Sequence, residues 1–176
     1  TAPSTTADIR QDSTRSSTVA PTQDASTNTT ADSRDAGRAA RRLEIVQDIY
    51  AAFGRGDVPH ILESLDADIE WEYGFAPNQV PWLAHRRGRE GVASFFAALA
   101  QGLELNHFQV RDLLPGKDKV VALVEIGGKT KGGTSPASHV AETDEVHIWH
   151  FNDADRVHRF RHVLDTLQHD RAWRGA

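Results

Sequence analysis

Four histidines lie close together near the end of the chain, in the stretch EVHIWHFNDADRVHRFRHVLD at residues 145–165. They are His147, His150, His158 and His162. Imidazole has an ordinary pKa near neutral pH, so it serves proteins as an acid, a base or a metal ligand. The faces on which these rings lie therefore decide whether the stretch carries chemistry.

The stretch is typical of two strands joined by a turn, because apolar residues alternate with polar ones on both sides of the segment NDAD. Successive side chains of a strand point to opposite faces, so His147 and Trp149 share a face that His150 does not. Alternate residues of the second strand also share a face: His158, Phe160, His162 and Leu164. His147 and His162 are thus predicted to meet across adjacent antiparallel strands.

Three interpretations of these histidines stay open at this point. The first is an acid–base pair of His147 and His162, in which one ring removes a proton and the other polarises an oxygen. The second is a metal site that adds His158, although no HxH or HExxH motif supports it. The third is a polar lining without chemistry. We expect the acid–base pair, with no metal and no cofactor.

The composition changes sharply near residue 37. Residues 1–36 are rich in Ser and Thr and contain only Ile9 and Val19 as large aliphatic or aromatic residues. Such a segment buries too little apolar surface to offset the entropy of ordering it. The sequence therefore predicts a disordered tail over residues 1–37 and one domain over residues 38–173.

The domain begins with helical periodicity and continues with strands. Apolar residues recur every three or four positions from residue 38, and Asp57 is placed to cap a second helix over about 57–65. A period-two strand follows near Ile69 and Trp71, and then a third helix in REGVASFFAALAQG. Four further strands are predicted at about 104–115, 119–128, 139–152 and 156–164. This order indicates an α+β fold, a curved and mainly antiparallel sheet around three helices.

The composition limits the kinds of partner that this protein is expected to bind. A formal net charge of −5 gives no electrostatic reason to bind nucleic acid. No apolar run reaches the roughly 18–20 residues of a membrane span, so we expect no membrane partner. The sequence has no cysteine, which excludes disulfides and thiolate chemistry. A cytoplasmic location is the default expectation.

Three strings of the domain together resemble the SnoaL-like family of the nuclear transport factor 2-like superfamily. They are IYAAFGRGDVPHILESLDADIEWEYG, RRGREGVASFFAAL and HIWHFNDADRVHRFRHVLDT. The resemblance covers residues 38–173 and implies a conical α+β barrel with a deep apolar pocket. It also implies homodimers formed through the convex face of the sheet, where Val146 and Ile148 make an apolar stripe. The superfamily scaffold carries isomerases, cyclases, hydrolases, dehydratases and non-catalytic binders.

Residue-by-residue transfer separates two branches of that superfamily. Ketosteroid isomerase uses an Asp base with a Tyr and a protonated Asp. In this sequence the isomerase base falls on Tyr73 and the protonated Asp on His147, while Tyr50 lies one residue away from the Tyr position. That triad is therefore excluded. The SnoaL-type cyclases fit better: their acid–base Asp falls on His162, and a His of their neighbouring strand corresponds to His147.

The resemblance implies a small hydrophobic, oxygenated substrate and cofactor-independent isomerisation, cyclisation or dehydration, with His162 and His147 as catalytic residues. The alternative is a non-catalytic binding or dimerisation module on the same fold. By parity Trp71 and Tyr73 face the concavity, and Trp82 in the loop VPWLA is a candidate lid. The expected substrate-binding residues are Tyr73, Trp71, Trp149, Tyr50, Phe160, Trp82 and His158.

Overall fold

The computed structural model describes residues 25–72, 78–131 and 138–175. Within these ranges the chain forms four α-helices and six strands. The helices are α1 (Ala25–Arg55), α2 (Val58–Glu63), α3 (Gly88–Gly102) and α4 (Thr166–Arg174). The strands are β1 (Leu65–Glu72), β2 (Arg86–Arg87), β3 (Leu103–Pro115), β4 (Lys119–Thr130), β5 (His139–Phe151) and β6 (Val157–Val163). A short 3-10 helix covers Pro81–Leu83.

The six strands form one curved sheet in the order β2-β1-β6-β5-β4-β3. Its strands pair antiparallel except β1 and β6, which run parallel. The sheet does not close on itself, and the helices pack on its concave face. The predicted α+β architecture is confirmed. None of the helices in the described ranges has both the length and the apolar character needed to cross a bilayer.

Helix α1 packs the apolar face that its periodicity predicted, with Val46, Ile49 and Ala52 buried. It begins at Ala25, before the point near residue 38 where the apolar periodicity of the sequence starts. Residues 32–38 are exposed in this helical extension, and a segment without a packed face shows no apolar periodicity in its sequence. Residues 1–24 lie outside the described residues, and the disordered tail stays a prediction there.

Two aspartates cap the first turns of the short helices, and the sequence predicted this role for Asp57. The carboxylate of Asp57 accepts a hydrogen bond from the backbone N–H of His60, and that of Asp165 accepts one from Gln168. Each satisfies a backbone donor that the first turn of a helix leaves without a partner. Asp165 thereby fixes where the chain leaves β6 and enters α4.

A buried arginine fixes α1 against the turn between β5 and β6. Arg42 is 2% exposed. Its Nε lies 2.8 Å from Asp155 Oδ1, and its Nη2 donates to the carbonyl of Asn152 at 2.9 Å. A buried charge is tolerated only when it is paired and hydrogen-bonded, as this one is. The contact holds the helix that carries Tyr50 over the strands that carry the histidines.

Candidate active site

A cavity lies between the helices and the concave face of the sheet. Its volume is about 70 Å³. Aromatic side chains make about half of the wall: Tyr50, Phe53, Trp71, Trp82, Phe95, Phe96, Phe108, Trp149 and Phe160. Four titratable side chains interrupt this apolar surface: Glu145, His147, His162 and His169. Polar chemistry in the cavity is therefore confined to a small part of its wall.

The predicted meeting of His147 and His162 is present in the structure. The two residues are paired across β5 and β6, and their Nε2 atoms lie 2.9 Å apart. Glu145, two residues before His147 on the same face of β5, brings its Oε1 to 2.7 Å from His147 Nε2. The same oxygen also contacts His162 Nε2. One carboxylate oxygen thus accepts from two imidazoles, and the three residues form a triad.

A chain of hydrogen bonds supports the triad from α1. The indole N–H of Trp149 donates to the hydroxyl oxygen of Tyr50 at 3.0 Å. Tyr50 Oη lies 2.7 Å from His147 Nδ1. Because the hydroxyl oxygen already accepts from Trp149, its proton is available for Nδ1, and a neutral His147 then carries its own proton on Nε2. That proton points to Glu145, so the chain fixes the tautomer of His147 and the orientation of the carboxylate.

Burial and charge set the ionisation of the triad. Burial favours a raised pKa for the Glu145 carboxyl, but the charge of His162 and hydrogen bonds from both imidazoles outweigh it and lower the pKa. Burial also lowers the pKa of His147 to about 4, with the neighbouring His162 acting in the same direction. Near neutral pH the triad therefore holds an ionised carboxylate beside a neutral His147. Burial raises the pKa of Tyr50, which stays protonated.

A second buried histidine lines the cavity from α4. His169 is 2% exposed, and its Nε2 lies 2.8 Å from Glu142 Oε1. Its Nδ1 accepts the indole N–H of Trp82 at 3.1 Å. Trp82 in turn packs on Gly102, where an added Cβ would lie 2.4 Å from the indole ring. These contacts hold α4 and the 3-10 helix at one end of the cavity.

Seven of the nine predicted site residues line the cavity. The cavity wall includes both catalytic candidates and five of the predicted substrate-binding residues: His147, His162, Trp71, Trp149, Tyr50, Phe160 and Trp82. Trp82 is a buried wall residue, 1% exposed. Tyr73 lies outside the described residues. Whether these side chains bind or transform a substrate stays a prediction.

The expectation that His158 shares a face with His162 is wrong. The pairing of β5 with β6 is irregular after His150, whose partner is Arg159, because Phe151 then pairs with Val157. His158 is the extra residue of this β-bulge, and a bulge breaks the alternation of faces. The structure places His158 on the surface near His150, with the two ring centroids 6.4 Å apart.

Sequence reasoning missed Glu145 and His169. Glu145 precedes His147 by two residues, so strand parity alone predicts that it shares the inward face. In the sequence it follows Thr143 and Asp144, and the run resembles a solvated strand end. His169 lies in the polar segment TLQHDRAWR, which forms α4. Which side of such a polar helix is buried depends on where the helix packs on the sheet. No local signal marks it.

The same side chains offer the donor atoms of a metal site. One donor atom from each of Glu145, His147 and His162 lies within 4.8 Å of the others, and the same holds for Glu142, Glu145 and His169. Two imidazoles and a carboxylate are a set that divalent zinc or iron accepts. Here the supporting hydrogen bond from Tyr50 places the proton of His147 on the nitrogen that faces Glu145. Hydrogen bonding accounts for the arrangement of the triad.

The fold and the cavity together define an α+β protein with a buried Glu–His–His triad in an aromatic pocket. The sequence profile of the SnoaL-like domain matches residues 46–160. The chain therefore belongs to the SnoaL-like family, as the resemblance indicated. Glu145 and His147 lie within the matched region, and His162 lies just beyond it. No curated protein matches the chain in sequence.

Solved structures share the fold. An NTF2-like protein from Burkholderia xenovorans LB400 is 24% identical with a TM-score of 0.65, covering 75% of this chain and 95% of its own. A candidate isomerase from Rhodopseudomonas palustris is 17% identical, with a TM-score of 0.56 and coverages of 81% and 97%. A candidate SnoaL-like polyketide cyclase from Mesorhizobium loti is 17% identical, with a TM-score of 0.54 and coverages of 68% and 95%. At these identities the likeness establishes the fold.

Proposed function

We propose that this protein is a small-molecule enzyme that performs acid–base chemistry without a cofactor. The observation that carries the proposal is the carboxyl group of Glu145, buried between His147 and His162 in the wall of an apolar cavity. A buried carboxylate held against an imidazole is the arrangement that orients a general base and stabilises the imidazolium formed when it takes a proton.

In this mechanism His162 removes or returns the proton of the substrate. Glu145 holds the ring of His162 in place and balances its charge after proton transfer. His147 stays neutral and, with Tyr50 and Trp149 behind it, keeps the carboxylate fixed. The low-dielectric surroundings strengthen these interactions, because little water competes for them. Return of the proton from His162 to another atom of the substrate gives isomerisation. Attack of the carbanion on a carbonyl carbon of the same substrate, whose oxygen then takes the proton from His162, gives cyclisation. Departure of a neighbouring hydroxyl group that takes this proton and leaves as water gives dehydration.

The walls of the cavity favour a hydrophobic, oxygenated and planar substrate. Trp71 stacks on Phe160 with centroids 4.0 Å apart, and Trp149 packs against the same ring at 4.4 Å. Flat aromatic surfaces of this kind bind rings by burial and offset stacking. Two of the similar structures are described as a candidate isomerase and a candidate polyketide cyclase, which agrees with proton transfer on such molecules.

The experiment that tests the proposal needs no knowledge of the natural substrate. Nitrobenzisoxazole is a planar molecule from which a base removes the ring C–H proton while the N–O bond breaks, giving a coloured phenolate. We expect the wild-type protein to accelerate this ring opening. His162→Ala should lower the second-order rate constant at least about a hundredfold, the usual contribution of a positioned base.

The matched control is His158→Ala, which removes a histidine of the same strand outside the cavity. Its rate should equal that of the wild type. Equal rates for wild type, His162→Ala and free imidazole would contradict the proposal. Such a result, together with tight binding of aromatic ligands, would favour the alternative of a non-catalytic binding module.

We also propose that two copies associate through the outer face of the sheet. Paired outer positions of neighbouring strands carry apolar side chains: Leu114, Val121, Leu123, Val146, Ile148 and Val163. Leu114 is 49% exposed and Val163 44%, so a monomer presents part of this stripe to water. Light scattering at micromolar concentration should give the mass of a dimer, and Val163→Asp should give a monomer. A wild-type monomer would contradict this proposal.

A cytoplasmic location stays a prediction from the sequence.

A further inference from the structure

The cavity is smaller than the substrates that the proposed function assigns to it. Its volume is about 70 Å³, whereas an apolar protein cavity that holds benzene has about 150 Å³. The triad is covered as well, since Glu145 is 2% exposed and His147 is 6% exposed. A planar substrate can therefore reach His162 only after part of the wall moves away.

The two long helices of the wall are held by large buried apolar side chains. Helix α1 buries Val46 and Ile49, and α3 buries Val92 and Phe95. All four belong to the core that the helices share with the sheet. Moving either helix would expose these side chains to water, and the cost in free energy rises with the apolar area exposed. We therefore expect α1 and α3 to stay fixed while a ligand enters.

Helix α4 is held in a different way. Its buried residues are His169 and Ala172. Its larger apolar residues, Leu167 and Trp173, are already 55% and 39% exposed. His169 is the residue of this helix that lines the cavity. Lifting α4 from the sheet would therefore expose less apolar surface than moving α1 or α3.

Hydrogen bonds attach α4 to the rest of the wall. The ring of His169 lies between two partners, with its Nε2 2.8 Å from Glu142 Oε1 and its Nδ1 accepting the indole N–H of Trp82 at 3.1 Å. The hydroxyl of Thr130 on β4 donates to the carbonyl of Ala172 at 3.1 Å. These bonds join the helix to two strands and to the 3-10 helix.

A further hydrogen bond joins α4 to β5. The backbone N–H of Ala141 donates to the side-chain oxygen of Gln168 at 2.6 Å. Water can replace each partner of such a bond when the groups become exposed, so the net contribution of one bond to stability is small. An element with few buried apolar contacts opens locally at a lower free energy than the core does.

We propose that α4 is a lid over the cavity, closed in this structure and held by the hydrogen bonds of His169, Ala172 and Gln168. The lid turns about residues 164 and 165, the short connection between β6 and α4. Opening takes the ring of His169 out of the wall and makes room for a planar molecule beside His162. The inference rests on the proposed function, because it supplies the way by which a substrate of that class enters.

Hydrogen–deuterium exchange of the backbone amides tests the lid on the full chain at neutral pH. Amides inside α4 should exchange at least about tenfold faster than those of α1 near Val46 and of α3 near Phe95, because the lid opens while the core stays folded. Entry of a ligand is measured separately with 2-naphthol, which is planar and neutral at this pH. Its fluorescence gives the rate constant of association.

Thr130→Val separates a lid from a helix that merely frays. The variant keeps the shape of the side chain, removes the donor to Ala172, and changes a residue that does not line the cavity. Loss of one hydrogen bond should raise the open fraction about three- to tenfold. Exchange in α4 and entry of 2-naphthol should rise by the same factor, because both depend on that fraction.

Thr143→Val is the matched control. The hydroxyl of Thr143 contacts Asp144 on an exposed part of β5 and has no bond to α4 among the described residues. Both rates should equal those of the wild type. Gln168→Ala is a second variant of the lid, which removes the bond to Ala141 and should change both rates in the same direction as Thr130→Val.

Two results would overturn the inference. One is exchange in α4 of the wild type as slow as that in α3. The other is entry of 2-naphthol that is undetectable at millimolar concentration, or equally fast in the wild type and in both lid variants. A lid that opens and admits 2-naphthol in a protein without activity on nitrobenzisoxazole would contradict the proposed function and leave this inference in place. Ring opening by a protein whose α4 stays closed would do the reverse.

Discussion

Strands β5 and β6 carry two pairs of histidines that differ in ring separation, in exposure to solvent and in their charged neighbours. The inner pair, His147 and His162, has ring centroids 4.4 Å apart and shares one oxygen of Glu145. The outer pair, His150 and His158, has centroids 6.4 Å apart and lies toward solvent. Strand alternation places His150 on the outer face, and the β-bulge after His150 places His158 beside it.

The charges around the two pairs differ as well. The inner pair has a buried carboxylate as its immediate partner, and the cavity excludes most water. Around His150, partial burial lowers the pKa, and the positive charges of Arg159 and Lys119 act in the same direction. Screening by water makes interactions at such surface positions weak. Strand face and a neighbouring carboxylate, more than the presence of imidazole, therefore define the candidate site.

The largest expected effect of the inner pair on stability is its pH dependence. The pKa of His147 is lowered from its ordinary 6.5 to about 4 in the fold, so the unfolded chain binds the proton first as pH falls. The stability that a neutral His147 permits is therefore present above pH 6.5 and lost as pH falls toward 4. Lowering the pH across this window should cost about 3 kcal/mol in the free energy of unfolding from this group.

Urea denaturation of the wild type and of His147→Gln, at several values of pH, measures this effect. The variant should show a smaller loss of stability on acidification. The carboxyl of Glu145, whose pKa is also lowered, adds a loss that starts only below its ordinary value of 4.5. Identical pH slopes in the two proteins would show that His147 is not buried as a neutral ring.

A smaller effect is expected from the hydrogen-bond chain behind the inner pair. Tyr50→Phe removes the acceptor of the Trp149 indole and the donor to His147 Nδ1, leaving both buried groups unpaired. The free energy of unfolding should fall by about 2 kcal/mol. A double-mutant cycle with Trp149→Phe should show that the two losses do not add. Strict additivity would argue against the chain.

The smallest effect belongs to the outer pair. His150→Gln and His158→Gln each remove a ring whose contacts are largely exposed to solvent. Surface substitutions of this kind usually change the free energy of unfolding by no more than about 0.5 kcal/mol. A loss of several kcal/mol in either variant would break the contrast between the two pairs.

Much of the fold could be read from the sequence because burial imposes a period on it. The alternation around Trp71 and the three- and four-residue spacing around Val46 and Ile49 each record one packed face. The extension of α1 back to Ala25 left no such record, since its residues 32–38 pack on nothing that requires apolar side chains. Apolar periodicity in a sequence reflects a packed face, and an exposed helical segment has no such face.

The site was predictable where strand parity holds and not where it fails. The alternation of side chains along a strand correctly placed His147 and His162 together. It places Glu145 on the same face, but the polar residues before Glu145 resemble a solvated strand end. Strand alternation failed to place His158, because a β-bulge shifts the register by one residue. No glycine or proline in the sequence indicates this bulge. The place of His169 depends on how α4 docks on the sheet, a tertiary contact that local sequence does not encode.

The most direct test of the central claim is an NMR titration of the histidine ring protons in the wild type and in His162→Gln. In the structure His147 is a buried ring beside His162, and burial keeps it neutral. The wild-type ring of His147 should therefore titrate at a pKa of about 4, and that pKa should rise when the neighbouring charge is removed in His162→Gln. A ring that titrates near 6.5 in both proteins would contradict the account, because the buried and coupled pair would then not exist.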